Sequence, residues 1–135
     1  HLSGIKGLIK LDLRGSRIDE DGVVTLGTLT NLQQLSVRDT SVSDDAMVQI
    51  AKLKGLQSLD LAGTAVTDDG LENVGELPQL RELILMRTGV SDDGLKHLKP
   101  LGDLSFLDLS ATVVSDGGVG GLREVLKNCV IILDR

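Results

Sequence analysis

Four near-copies of one phrase set acids behind a hydroxyl residue: TSVSDDAM at 40 to 47, TAVTDDGL at 64 to 71, TGVSDDGL at 88 to 95, and TVVSDGGV at 112 to 119, where the second acid is gone. Adjacent carboxylates can act as general acid and base, or hold a divalent cation. Calcium needs about six to eight oxygens in a shaped loop, and the sequence has no D-x-D-x-D-G run to supply one. The context favours a structural use. Ser43, Thr67, Ser91 and Ser115, with Asp19 in the equivalent place, each stand just before an apolar series at helical spacing. Such side chains accept hydrogen bonds from the orphan amides of a helix start. The acids that follow (Asp44, Asp45, Asp68, Asp69, Asp92, Asp93 and Asp116) fall in the first turn, where the helix dipole favours negative charge. With Asp19, Glu20 and Asp21 they are half of the chain's 20 acids, so half of the acidity is expected to be architectural. Gly22, Gly70, Gly94 and Gly118 recur at one fixed place, as close packing would require. No metal and no cofactor is expected.

Nucleophilic chemistry needs a nucleophile, a base and an orienting group in one pocket. His97, between Lys96 and Leu98, is expected on the outer side of a helix, and the lone Cys129 enters the final strand on the opposite side. No third partner stands with them, and the chain is expected not to be an enzyme. The cluster GGVGG (117 to 121) lacks the Lys-Ser/Thr that completes a phosphate loop and is expected to loosen the last helix. Net charge is −6 over 135 residues, which disfavours nucleic acid and anionic membrane, both of which bind through Lys and Arg clusters. No apolar run approaches the roughly 18 residues of a membrane span. The start HLSGIKG lacks a signal-peptide shape, and a single thiol rules out an internal disulfide and leans toward a reducing compartment, which is otherwise left open. Hydrophobic residues make up 41% of the chain and aromatics 1%, Phe106 alone. The core must therefore be aliphatic, which suits thin stacked layers.

The elements that position these residues follow from a repeat. Leucines stand at 8, 32, 56, 80 and 104, and each opens the same phrase: LIKLDLRGSRI, LQQLSVRDTSV, LQSLDLAGTAV, LRELILMRTGV and LSFLDLSATVV. The common pattern is L-x-x-L-x-L-x-x-S/T-x-V/I, with Val37 at one inner position. Alternation by two turns Leu11 and Leu13, and their equivalents down the chain, inward from a short strand. The return segments carry apolar stripes such as Met47, Ile50 and Leu53, or Leu71, Val74 and Leu77, that face back to the strand. One such unit cannot bury its apolar side alone; a stack of them forms a continuous core. The pattern resembles the leucine-rich repeat family over nearly the whole chain. That resemblance implies an α/β leucine-rich-repeat solenoid, a curved right-handed superhelix with a parallel sheet on the concave side and short helices on the convex side.

The reading is of one domain over 1–135, with five full repeats starting near 8, 32, 56, 80 and 104, a partial repeat at 1–7 and a closing strand at 128–134. Leu2 and Ile5 lie 24 residues before Leu26 and Leu29, so the chain is expected to begin inside a helix and to be a piece of a longer protein. The ninth position holds Ser16, Thr40, Thr64, Thr88 and Thr112 where many such repeats carry Asn. These hydroxyls are expected to bond backbone groups of adjacent turns. With the 24-residue period and the acidic turn, this departure is most similar to the bacterial GALA-type and F-box-associated subtypes.

Function in a solenoid usually sits on the broad concave surface. The outward strand residues change along the stack. Lys10, Asp12, Arg14, Gln34, Ser36 and Arg38 are polar, whereas Ile84, Met86, Phe106, Val130 and Ile132 form an apolar group with Arg81, Glu82, Arg87 and Asp108 on its charged rim. Such a group has the anatomy of a protein-binding hot spot. A second reading gives Arg14, Arg38 and Arg87 an acidic peptide to hold, against neutralisation by Asp12 and Asp39. The resemblance implies a non-catalytic scaffold that binds a protein or peptide; the alternative is a substrate-recognition or regulatory segment of a larger enzyme such as a ubiquitin-ligase-like effector. An open repeat edge would also offer weak self-association.

Overall fold

A computed structural model describes residues 7–134. The expectation for Leu2 and Ile5 lies outside the described residues. Each coil enters on a three-residue strand: β1 (Lys10–Asp12), β2 (Gln34–Ser36), β3 (Ser58–Asp60), β4 (Glu82–Ile84), β5 (Phe106–Asp108) and β6 (Val130–Ile132). They form one six-stranded parallel sheet in the order β1-β2-β3-β4-β5-β6. The register advances by one repeat at each step, so Leu35, Leu59, Leu83, Leu107 and Ile131 pair in a single line. Helices α1 (Glu20–Leu26), α2 (Asp44–Ile50), α3 (Asp68–Val74) and α4 (Asp116–Val125) make the second layer, with a 3₁₀ helix over Asp92–Leu98 between α3 and α4. Pro100 follows this helix in the place of Lys52 and Glu76, whose amides donate to Gln49 and Asn73, and proline has no amide to give.

The aliphatic core lies between the layers. Leu59, Leu61, Leu83 and Leu85 are fully buried, as are Leu53, Leu71, Leu77 and Leu98 from the return segments. In the first coil Leu8, Leu11, Leu13, Ile18 and Val23 are only partly buried against this core, because no described coil covers their outer side.

Two expectations are corrected. The ninth-position hydroxyls bond within their own coil: Thr40, Thr64, Thr88 and Thr112 donate to the carbonyls of Val37, Leu61, Leu85 and Leu109 at 2.6–2.7 Å. The tight turn after each strand brings the carbonyl three residues back within reach of the hydroxyl. The last helix carries the GGVGG run and, at ten residues, is the longest of those described. Ser115 caps it by accepting from the Gly118 amide at 3.1 Å, and Val119 and Leu122 anchor it in the core.

The second correction answers what the acids do. Ser43, Thr67 and Ser91 make no side-chain cap to their own helices. The first acid of one coil instead reaches into the next. Asp44 Oδ1 accepts from the Thr67 amide at 2.7 Å and the Gly70 amide at 3.1 Å, and Oδ2 accepts from the Thr67 hydroxyl at 2.5 Å. Asp68 takes the Ser91 amide and hydroxyl at 2.7 and 2.5 Å, and Asp92 takes those of Ser115 at 2.8 and 2.6 Å. Gly70, Gly94 and Gly118 leave room for these carboxylates: a Cβ at any of them would overlap an oxygen of Asp44, Asp68 or Asp92. A cap donated in trans satisfies orphan amides and joins neighbouring coils at once.

Candidate functional site

The outward strand residues form three columns across the sheet. In the first, Lys10, Gln34, Glu82, Phe106 and Val130 follow one another in register with Ser58. In the middle column stand Asp12, Ser36, Asp60, Ile84, Asp108 and Ile132. The polar members of that column serve their own backbone: Asp12, Ser36, Asp60 and Asp108 each accept from the amide two residues on, at 3.1, 3.4, 3.0 and 2.9 Å. The Arg14 amide, with the Arg14 side chain, holds the Asp12 carboxyl below its ordinary range. Ile84 and Ile132 break this pattern and offer carbon where their neighbours offer a local hydrogen bond.

The structure brings Phe106 and Val130 together as register partners, with Val130 59% exposed and Phe106 half-buried. Ile84 and Ile132 are not adjacent, since Asp108 stands between them. Met86 is half-buried at the end of its rung. The apolar group is therefore interrupted by Asp108 rather than one continuous patch.

Of the arginines, Arg81 is exposed at the entry to β4. Arg87 turns away from the apolar group and pairs with Asp39 at 3.4 Å, two coils back. It passes over Gly63, where a Cβ would overlap Asp39. Arg38 pairs with Asp60 at 3.3 Å and Arg14 with Asp12 at 3.0 Å. All three cations that the second reading gave to an acidic peptide already hold carboxylates, and Arg38 has Asp60 for its partner rather than the expected Asp12 or Asp39.

The concave face also has a depression of about 270 Å³ on the polar rungs, lined by Lys10, Arg14, Gln34, Ser58, Glu82 and Ile84 among others. Sequence reasoning placed these residues on the outward face and did not single the group out, because its signal is shape and not composition. His97 is half-buried in the 3₁₀ helix, in the opposite layer from Cys129 at the entry to β6. Burial pushes the Cys129 thiol up from its ordinary pKa, which makes it a weaker nucleophile at neutral pH. Among the described residues no group of three or more His, Cys, Asp or Glu is placed to hold a metal ion, and no helix is long and apolar enough to cross a membrane.

Residues 55–75 match a family model described as Leucine Rich repeat. With six parallel strands at a constant step backed by short helices, the fold is decided. The chain is a leucine-rich-repeat solenoid. Solved solenoids superpose on nearly all of it. An internalin C2 of Listeria monocytogenes is 24% identical with a TM-score of 0.79, covering 98% of this chain and 54% of its own. A second internalin of that organism is 20% identical with a TM-score of 0.70, covering 99% and 44%. A region titled Leiomodin-1 Actin-Binding Site 2 is 17% identical with a TM-score of 0.70, covering 94% and 84%. The solenoid thus spans about half the length of the internalins it matches. No curated protein matches it in sequence. Leucine-rich-repeat solenoids are generally protein-interaction scaffolds.

Proposed function

We propose that this solenoid is a non-catalytic scaffold that holds a protein or peptide on the concave face of its sheet, with Ile84, Met86, Phe106, Val130 and Ile132 as the apolar contacts and Arg81, Arg87 and Arg38 at their margin. The observation that carries this reading is the middle column. Four of its six residues are engaged by their own backbone, while Ile84 and Ile132 leave that duty and expose carbon beside the chain's one aromatic ring. A partner segment laid across the strands would bury Phe106 and Val130 and meet the polar depression over β1 to β4 at its other end. The threonine at the ninth position and the 24-residue step support a repeat subtype close to the GALA-type and F-box-associated ones. Coverage of about half of the internalins supports a place as the recognition segment of a larger protein, for which a ubiquitin-ligase-like effector is the second reading.

The test is affinity capture with the native chain and with a Phe106→Ser, Met86→Asp variant. Loss of the captured protein with melting nearly unchanged is expected, since these side chains lie outside the core. Equal capture by both would remove the apolar group from the proposal.

A further inference from the structure

The first junction, between α1 and α2, differs from those that follow. Its crossing acid is Glu20 where later coils have Asp44, Asp68 and Asp92, and the receiving position is Ala46 where they have glycine. Among the described residues no carboxylate bonds Ser43. The flanking backbone bridges that join Ser43 to Ala65 and Thr67 to Gly89 have no counterpart here among the described residues, a lack shared with the junction between Ser91 and Val113, where Asp92 nevertheless crosses to Ser115. What remains is a cleft of about 320 Å³ on the convex side, at the lower end of the roughly 300–1,000 Å³ typical of ligand pockets.

The cleft has an apolar wall and an acidic rim. Val23, Val24, Val42 and Ala46 line it, and Val24 is 53% exposed. Asp19, Glu20 and Asp45 stand at its edge. Asp19 caps α1 through the Gly22 amide, but Glu20 and Asp45 hold no cation among the described residues; the three ion pairs seen there all lie elsewhere, on the concave side. Gln49 also lines the cleft and carries a buried side-chain oxygen without a partner. An aliphatic floor below two unpaired carboxylates complements one kind of side chain, a long hydrocarbon stem that ends in a positive charge.

We propose that this convex cleft receives a lysine or arginine side chain of a basic peptide partner, its stem against Val23, Val42 and Ala46 and its charge between Glu20 and Asp45. The site is separate from the concave face and does not rest on the function proposed for it. The test titrates the whole chain with an end-blocked peptide that carries one lysine beside one leucine, against the same peptide with glutamate for lysine, and follows methyl resonances by NMR. Shifts of the Val42 and Ala46 methyls with the lysine peptide alone are expected, weakened about tenfold in a Glu20→Gln, Asp45→Asn variant whose melting matches the native chain, as loss of two charge-assisted contacts would give. Asp69 and Asp93 provide an internal control, because they repeat the acidity without the cleft. Shifts that spread equally to Leu71 and Leu95, equal shifts with the glutamate peptide, unmoved cleft methyls, or undiminished binding by the variant would each overturn the proposal.

Discussion

Between the second and third coils a carboxylate crosses the boundary and holds an amide, a hydroxyl and a second amide; between the first and second coils the sheet bonds cross but, among the described residues, no carboxylate does. The two junctions have the same leucine phrase and the same kind of core. At the clip positions they differ by one methylene, Glu20 against Asp44, and by two methyls, Ala46 against Gly70 and Ser43 against Thr67, of which the serine is no bar, since Ser91 and Ser115 receive the same bond. The comparison teaches that the repeat contains two separable codes. Leucines set the coil and its stacking, while the acid, the next coil's hydroxyl and the next coil's glycine form a clip that closes each boundary. Where the clip is missing, the solenoid still stacks but leaves a cleft.

The largest expected effect lies in the core that both junctions share. Leu59→Ala should cost about 2–5 kcal/mol, as deletion of a fully buried leucine does. Leu11→Ala, at a partly buried place in the first coil, should cost clearly less; urea melts of the two variants check this, and equal costs would erase the contrast between the ends of the stack. Next comes the clip. Asp44→Ala removes an ionised acceptor from three donors and should cost about 1–3 kcal/mol, the usual penalty for unmet partly buried groups. Glu20→Ala should lie within about 0.5 kcal/mol of native, as surface substitutions do, and thermal melts distinguish the two.

The comparison can be sharpened by building the clip where it is absent. Glu20→Asp with Ala46→Gly should slow exchange of the Ser43 amide and close the convex cleft, with the helix glycine giving back about 0.5–1 kcal/mol of the gain. An unchanged Ser43 exchange rate would mean that residue identity alone does not make the clip. The smallest effect concerns the turn after each strand, which has positive φ in every coil from the first to the fifth: Gly15, Asp39, Gly63, Arg87 and Ala111. Here the first and third coils, with Gly15 and Gly63, are the relaxed ones. Ala111→Gly should stabilise by up to about 1 kcal/mol, and Gly15→Ala should destabilise by a similar amount, because a Cβ is disfavoured in the left-handed region.

The strands, the parallel order and the inward leucines were legible because side-chain alternation and a constant step fix them from local sequence. The clip was not, since Asp44 and Ser43 are neighbours in sequence and read as one helix start, whereas the bonded partner of Asp44 is Thr67, 23 residues on. A signal was present: the one coil with alanine in place of glycine, at Ala46, follows the one coil with glutamate in place of aspartate, at Glu20. Gly63 hid a similar relation, clearing the path for the ion pair of Asp39 and Arg87 across two coils. The candidate binding residues were legible as outward positions. Their separation by Asp108 and the depression over the polar rungs depend on how strands sit side by side, which a single coil does not encode.

Hydrogen exchange in an Asp68→Ala variant examines the inter-coil role of the acids most directly. If Asp68 holds the coil that follows it, the Ser91 amide should lose protection while the amides of α3, its own helix, exchange as in the native chain. Faster exchange confined to α3, with Ser91 unchanged, would return the acids to ordinary first-turn charges and contradict the clip.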